Sequence, residues 1–423
     1  NKLAEDGVTL IISGDCGITA VKEVEQAKEL GVEFIVTDHH KPPEELPQAV
    51  SVLNPKLKDC KYPAKEIVGV GVIFNLVIAL RRALRDEEFF KNGEPNLGDY
   101  LDLVALGTVA DCAPLLDVNR ILVKEGIKRM QTPKRIGFQA LKEASSVKGE
   151  VTSYDLGFKF GPRINASGRM STADNAVKLF ISNDLEDARE IAKGLNKQNT
   201  NRQGTEAGII KEAVSQLESN PEIIGSNCIV LASRNWHPGI IGIVASRIVE
   251  RYEKPTMLIA IGEDGVGKGS GRSVDGVNIY AALSECRDMF LQFGGHELAA
   301  GLSIREENIE KFRVMFDKAL ESNKEQYEHK LNIDCTVDLE LITDSLITEL
   351  DLLAPFGIGN PEPVLLSKQI EVISQQIFKD KHLGFKVKQG GKFYDAIWFN
   401  LKEPITLPDK IDMVFTTEFN KWI

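Results

Sequence analysis

No stretch of these 423 residues approaches the ~20 consecutive apolar residues a membrane span requires, and the N-terminus lacks the basic-then-apolar layout of a secretory signal. A soluble, cytoplasmic protein is the expectation. No CxxC pair occurs; the cysteines at 16, 60, 112, 228, 286 and 335 are scattered. That argues against a disulfide framework and a structural zinc site, and it predicts reduced, mostly buried thiols. Positive charge is in deficit, with 51 Lys and Arg against 62 Asp and Glu. Phosphate binding leans on Lys and Arg, so a nucleic-acid partner has to be held in a local groove or through metal ions. Internal repeats and low-complexity tracts are absent as well. What remains is a globular composition, 43% hydrophobic and 27% charged, sufficient for roughly two to four domains.

The first third alternates β-rich and helical runs: "VTLIIS" (8–13), "TAVKEVEQAKEL" (19–30) stopped by Gly31, "EFIVT" (33–37) and "AVSVL" (49–53). This is the pattern of a parallel sheet. Apolar helices are predicted at about 66–86 and 97–109, and helices over 173–219 carry Leu185, Ala188, Ile191, Ala192 and Leu195 at helical spacing. The second of these continues long and polar, as a bridge between globular parts would. A second α/β unit opens at "CIVLAS" (228–233), continues through a helix at 239–252 and a strand pair around 256–273, and ends in a helix near 306–322. From about 331 short alternating strands predict a small β-barrel or sandwich. The chain opens without Met and closes inside a strand-like pattern, so we expect it to be cut at both ends.

Three acidic residues share one context. Asp15 follows "LIISG", Asp38 follows "FIV" and Asp111 follows "VALGTVA", each where a buried element gives way to a loop. The carboxyl ends of parallel strands line one crevice, so Asp15, Asp38, His39, His40 and Asp111 are expected to converge there. Carboxylates with imidazoles suit Mn²⁺ or Mg²⁺, and two such ions ~3.5–4 Å apart suit phosphoryl hydrolysis. Any one Asp alone reads better as a loop cap; three of them with paired histidines favour a site. Ser270 and Arg272, two apart in "GSGRS", lie on one strand face and suit a phosphate, the alternative being a Gly-rich hairpin with an exposed Arg. "GEDGVGKG" (262–269) nearly matches a phosphate-binding loop but puts Gly269 where a hydroxyl must hold Mg²⁺, in a hairpin context, so ATP binding is rejected. "GVGVIF" (69–74) lies in a helical pattern and reads as close packing. Lys379, Lys381, Lys386, Lys388 and Lys392 among Phe385, Phe393, Tyr394 and Trp398 suit single-strand binding or, equally, a solvated β-surface over core aromatics.

"SGDCGI" (13–18), "TDHH" (37–40) and "GTVADCAPL" (107–115) resemble the second to fourth motifs of the DHH phosphoesterases. "GPRINASGRM" (161–170), "NWHPGIIGIVASRI" (235–248), "GSGRS" (269–273) and "FGGHELAAG" (293–301) resemble those of its single-strand-specific 5′→3′ exonuclease branch. The resemblance implies an α/β protein. A parallel-sheet DHH domain (1–172, N-terminally incomplete) joins through a long helix (173–225) to a second α/β domain, DHHA1 (226–330). A C-terminally incomplete β-barrel OB domain (331–423) follows. It implies two Mn²⁺ or Mg²⁺ ions with Asp15, His39 and Asp111 as ligands, Asp15 bridging. Asp38 would orient His39, and His40 would meet the scissile phosphate. Arg163, Asn165, Arg169, Ser270, Arg272 and His296 would contact substrate, with Ser270 and Arg272 on a 5′ phosphate. His296 and the Trp236-His237-Pro238 loop have a packing reading too, at a helix start and in the core. The family's first motif, an Asp-x-Asp strand, is not in this sequence, so we expect the chain as it stands to be inactive or impaired. Single-stranded DNA is the implied partner of a monomer in DNA repair and recombination, together with single-strand binding protein and a repair helicase. The alternatives are a phosphodiesterase of oligonucleotides or cyclic dinucleotides, whose members usually lack the OB region, and a non-catalytic single-strand binding relative.

Overall fold

This computed structural model describes residues 1–170, 173–322, 330–379, 381–401 and 403–420, with residues 169, 170 and 322 given by backbone alone. The chain forms two compact units: Asn1–Lys134, Val147–Gly161 and Lys330–Ile423 make one, Arg135–Ser146 and Pro162–His329 the other. No helix among the described residues is long and apolar enough to cross a membrane.

In the first unit β1 (Leu10–Gly14), β2 (Glu33–Thr37) and β3 (Ser51–Leu53) pair in parallel in that order. Parallel neighbours need a crossover. Helix α1 (Val21–Glu29) supplies the first, burying Val24 and Ala27, and the chain turns after it at Gly31, where φ is +74°. β2 ends buried, with Val36 and Thr37 fully covered, but β1 departs from the buried strand that its sequence suggests. Leu10 and Ile12 alternate with the half-buried Ile11 and Ser13, so β1 leaves one of its two faces exposed. Helix α2 (Gly69–Asp86) packs on β1 and β2. Helix α3 (Leu101–Ala110) is apolar all round and accordingly buried, at Val104, Ala105 and Leu106 among others. It runs close to α2 because Gly107 has no side chain; a Cβ there would lie 2.8 Å from Val70 Cγ1. Helix α4 (Asp117–Met130) packs along α3, and residues 155–160 form a single π-helical turn.

In the second unit α5 (Gly161–Met170) precedes the long helix α6 (Leu185–Ser219), whose 35 residues bury Ala188, Ala192, Leu195, Ile209, Ala213 and Leu217. β4 (Ile229–Ser233), helix α7 (Ile241–Tyr252), β5 (Thr256–Ile261), β6 (Val266–Arg272), β7 (Phe290–Gly295) and β8 (Ala299–Arg305) follow, with helix α8 (Ile309–Ser322) after them. The sheet order is β4-β5-β6-β8-β7. β5 is buried on both faces, and its period of two sorts its side chains. Met257 and Ile259 join Leu302, Phe312 and Phe316 on one side, while Leu258 and Ala260 join Leu231, Val244, Ile248 and Trp236 on the other. Trp236 therefore belongs to the core. β5 and β6 form the hairpin that excludes a phosphate-binding loop at 262–269.

The last segment contains a helix as well as the expected strands. Helix α9 (Asp344–Asp351) begins where Thr343 Oγ1 accepts the Leu346 N–H at 3.2 Å. β9 (Leu365–Phe378), β10 (His382–Gln389), β11 (Lys392–Trp398) and β12 (Lys410–Phe415) then form a sheet in the order β11-β10-β9-β12, with Cys335–Thr336 also on β9. The expected burial of the thiols is wrong for half of them: Cys228 and Cys286 are buried, while Cys16, Cys112 and Cys335 are exposed. Cys16 and Cys112 follow Asp15 and Asp111 directly, in loops that open to solvent.

Candidate metal centre

Three loops of the first unit meet. After β1, the Asp15 N–H donates to Thr37 O at 2.9 Å, extending the sheet by one bond, and Asp15 takes φ +62°. A left-handed conformation costs a non-glycine residue about 1–2 kcal/mol, so the surroundings must hold it. Ser13 Oγ does so by donating to Cys16 O at 2.9 Å, beside Gly17 at φ +108°. After β2, the Asp38 N–H donates to Leu53 O at 3.0 Å, which carries the next residues onto the sheet's carboxyl edge. Asp111 arrives differently: it caps the C-terminus of α3, with its N–H on Gly107 O at 3.0 Å and Cys112 at φ +57°. The common strand-end origin thus holds for Asp15 and Asp38 only.

His39 Nε2 lies 3.0 Å from Asp15 Oδ1 and 3.5 Å from Asp111 Oδ2. Asp15 above all, against the opposing effect of burial, pushes the His39 pKa above its ordinary value. Burial pushes the Asp111 carboxyl up, with the His39 charge opposing. Yet Nε2 is buried without an aligned hydrogen-bond partner among the described residues. That orphaned atom is the test of a cation here. Two ligands each ~2.1 Å from an ion and at right angles stand about 3.0 Å apart, so the spacing of Asp15 and His39 accommodates a shared ion as well as it does a hydrogen bond. His40 offers a further nitrogen within 4.8 Å of the Asp15 and His39 donor atoms. A carboxylate and imidazole donor set, with no thiolate aimed at it, suits Mn²⁺ or Mg²⁺.

Asp38 is 1% exposed. Its Oδ2 accepts the Ile18 N–H at 2.9 Å; its Oδ1 accepts the His39 N–H at 2.7 Å, the His40 N–H at 3.1 Å and His40 Nδ1 at 2.7 Å. Burial alone would raise this carboxyl, but the Ile18 N–H, the His40 ring and the two loop N–H groups outweigh it and hold it below the usual range. The ring that Asp38 fixes is therefore that of His40. The expectation that it orients the His39 ring is corrected: a backbone turn that delivers both N–H groups to Oδ1 brings the second histidine, not the first, back over the carboxylate.

Two contributors escaped the sequence reading. Gly69 opens α2 against the Asp15 side chain; a Cβ there would lie 2.2 Å from Asp15 Oδ1. "GVGVIF" is close packing, as expected, but what its Gly69 packs against is Asp15 of the candidate centre. Asn54, buried just past β3, donates through Nδ2 to His40 O at 2.9 Å. Its place at the end of the third strand was the signal that would have found it.

In the second unit Arg272 Nη1 donates to Ser270 Oγ at 3.3 Å and to Gly271 O at 2.7 Å. A Cβ at Gly242, the second residue of α7, would lie 2.8 Å from Ser270 Oγ and 3.1 Å from Arg272 Nη2. A hydroxyl, a guanidinium and a helix N-terminus thus meet, which is an anion-binding combination. Arg163 Nε donates to Asn196 Oδ1 at 3.0 Å, and Asn165 is exposed beside Arg202 and Glu206 of α6 in a cavity of about 470 Å³. The Arg169 side chain lies outside the described residues. His296 is exposed in the β7–β8 turn, with its N–H on Ala299 O at 2.8 Å, so it does not start a helix. His237 Nδ1 accepts the Gly239 N–H at 3.1 Å.

The lysine-rich strands sort by register. Lys388 faces Phe393 and Lys386 faces Asp395, with the two ammonium groups 5.6 and 5.9 Å from the Phe393 ring. Phe385 and Tyr394 share the opposite face with the buried Val387, and Tyr394 Oη donates to Ile342 O at 2.7 Å. Phe385 and Tyr394 are core; Phe393 between two lysines is the exposed platform.

Three family models match: the DHH family N-terminal domain over residues 2–108, the DHHA1 domain over 225–322 and the RecJ OB domain over 333–423. Curated relatives that the chain matches include proteins named single-stranded-DNA-specific exonuclease RecJ. The protein of Bacillus subtilis is 36% identical over 99% of this chain and 53% of its own length; that of Dickeya dadantii is 37% identical over 99% and 76%. The chain therefore spans about half of the first and three quarters of the second. A solved structure of RecJ from Thermus thermophilus in complex with Mn²⁺ superposes with a TM-score of 0.82 at 31% identity, covering 100% of this chain and 61% of that one. The complex of that protein with Mg²⁺ gives 0.79 at 30%, covering 98% and 59%.

Proposed function

The chain belongs to the RecJ family of single-stranded-DNA-specific exonucleases, and from that membership we propose that it forms the catalytic part of one. The enzyme degrades single-stranded DNA from the 5′ end to 5′-mononucleotides, in DNA repair and recombination. The observation that carries the reading is the convergence of the buried His39 Nε2 with the carboxylates of Asp15, at 3.0 Å, and Asp111, at 3.5 Å. These three residues would hold Mn²⁺ or Mg²⁺, which when bound activates water and offsets charge on the phosphate under attack.

The chain's own residues position the substrate. Asp38 accepts the His40 Nδ1–H and leaves the other ring nitrogen for a non-bridging phosphate oxygen. Ser270, Arg272 and the N–H groups opening α7 take a 5′ phosphate and so set polarity. Arg163, Asn165, Arg169 and His296 contact the strand behind it, and Phe393 between Lys386 and Lys388 stacks a base while the ammonium groups meet phosphates. The division into DHH (1–172), bridge (173–225), DHHA1 (226–330) and OB (331–423) domains belongs to the same proposal, as does a monomer working in the cytoplasm with single-strand binding protein and a repair helicase.

The test uses the full-length protein with Mn²⁺ and 3′-labelled single strands of graded length bearing a 5′ phosphate. Stepwise shortening from the 5′ end, on long strands and not on duplex, is expected. Cleavage of dinucleotides alone, or binding without cleavage, overturns the proposal.

A further inference from the structure

Between α9 and β9 runs Leu353–Asn360, a loop closed on itself. The Gly357 N–H donates to Asn360 O at 2.9 Å and the Asn360 N–H to Gly357 O at 3.1 Å. Asn360 Nδ2 reaches back to Leu353 O at 3.0 Å and Pro355 O at 2.9 Å. Such a loop has little freedom of its own. Its outward carbonyls are taken by residues some two hundred positions earlier in the same unit. The Leu115 N–H donates to Ile358 O at 2.6 Å, Arg120 Nη2 to Leu353 O at 2.6 Å, and Ser153 Oγ to Phe356 O at 2.7 Å. Its glycines permit the approach: a Cβ at Gly357 would lie 2.8 Å from Leu115 Cδ1, and one at Gly359, where φ is +76°, 3.2 Å from Leu116 Cδ1 and Pro114 Cβ.

The residues so gripped are Pro114, Leu115 and Leu116, which directly continue the turn Asp111-Cys112-Ala113. Cys112 sits at φ +57°, a conformation that a non-glycine residue keeps only when its surroundings over-determine it. On one side α3 fixes the turn, through the Asp111, Cys112 and Ala113 N–H groups on Gly107, Val109 and Thr108 carbonyls. On the other side the determinant is the loop, together with Asn119 Nδ2 donating to Pro114 O at 3.1 Å. Ser153 adds a second anchor, from the segment leading into the π-helical turn whose Gly157 lies under Val109.

We infer that residues 353–360 are a positioning clamp for Asp111, so that the metal centre of the N-terminal sheet is completed by a loop of the C-terminal segment, with Arg120 and Ser153 as positioning residues. The inference rests on the reading of Asp111 as a metal ligand. Displacing a group that orients a ligand typically weakens metal binding about 10–100-fold.

The test is Mn²⁺ affinity of the full-length protein by calorimetry, with thermal unfolding alongside. Arg120→Ala with Ser153→Ala is expected to weaken binding about tenfold, at the low end of that range. Arg120→Lys with Ser153→Thr is expected to restore most of it. In an Asp111→Asn background the alanine pair is expected to have no further effect, because coupled groups are non-additive. Undiminished affinity in a folded alanine variant overturns the clamp, and so does the same loss with and without Asp111, which marks a role in folding alone. Ser153→Ala by itself, the loss of one half-buried hydroxyl, repeats the comparison if the pair does not fold. A full-length parent that binds no Mn²⁺ overturns the metal-centre reading itself, and that result is distinct from failure of the clamp.

Discussion

The candidate metal centre of the first unit is lined with anionic and imidazole groups, whereas the Ser270–Arg272 cluster of the second stands on a strand of alternating glycines with a helix N-terminus beside it. Carboxylates meet a phosphate only with a cation between, and packing them together costs free energy that the metal must return on binding. The backbone there takes left-handed conformations at Asp15 and Cys112. The second site, as proposed, would meet an anion directly through the Arg272 guanidinium, in room that Gly242 leaves open. A net charge of −11 is thus compatible with a nucleic-acid substrate.

The contrast can be broken most severely at the metal. His39→Ala or Asp15→Ala in the full-length protein should lower kcat for single-strand hydrolysis by at least about 10³-fold while the melting temperature stays within a few degrees. Residual turnover within tenfold of the parent would remove these residues from the centre. Gly69→Ala comes next, since its Cβ would displace the Asp15 carboxylate. Mn²⁺ affinity should fall about 10–100-fold, with the Ser270–Arg272 site unaffected.

Arg272→Ala sharpens the other half. It should raise KM for 5′-phosphorylated single strands about tenfold or more, the worth of a charged hydrogen bond, with kcat nearly unchanged and Mn²⁺ affinity intact. A strand with a 5′ hydroxyl should show little of this effect; an equal loss on both strands would deny the site its phosphate.

The mildest perturbation is pH. A protonated imidazole cannot ligate, and the pKa of His39 is raised by Asp15, so its proton persists to higher pH than in a free imidazole. Mn²⁺ binding should therefore weaken as pH falls through a value above 6.5, the ordinary position of the group. Asp15→Asn should move that midpoint down. A midpoint that does not respond to Asp15 would show that the carboxylate does not govern His39.

Asp15, Asp38 and the histidines were legible because strand ends announce themselves in hydrophobic patterning and parallel sheets gather them. Asp111 was legible as an acidic residue ending a buried element, though a helix delivers it. What patterning could not carry is contact made without chemistry or across long separations. Gly69 matters by lacking a side chain. The partner of Asp38 depends on a turn that places His40 Nδ1 at 2.7 Å. Ser153 and Phe356 meet from 203 residues apart, and a local pattern holds no record of that. Helix α9 escaped because β-rich neighbours set the expectation for its whole segment, while its one signal was the Thr343 cap.

The most direct measurement is an anomalous difference map from crystals of the chain soaked in Mn²⁺. The account predicts a peak ~2.0–2.3 Å from His39 Nε2 and from carboxylate oxygens of Asp15 and Asp111. Density elsewhere, with His39 Nε2 still unliganded, would contradict it.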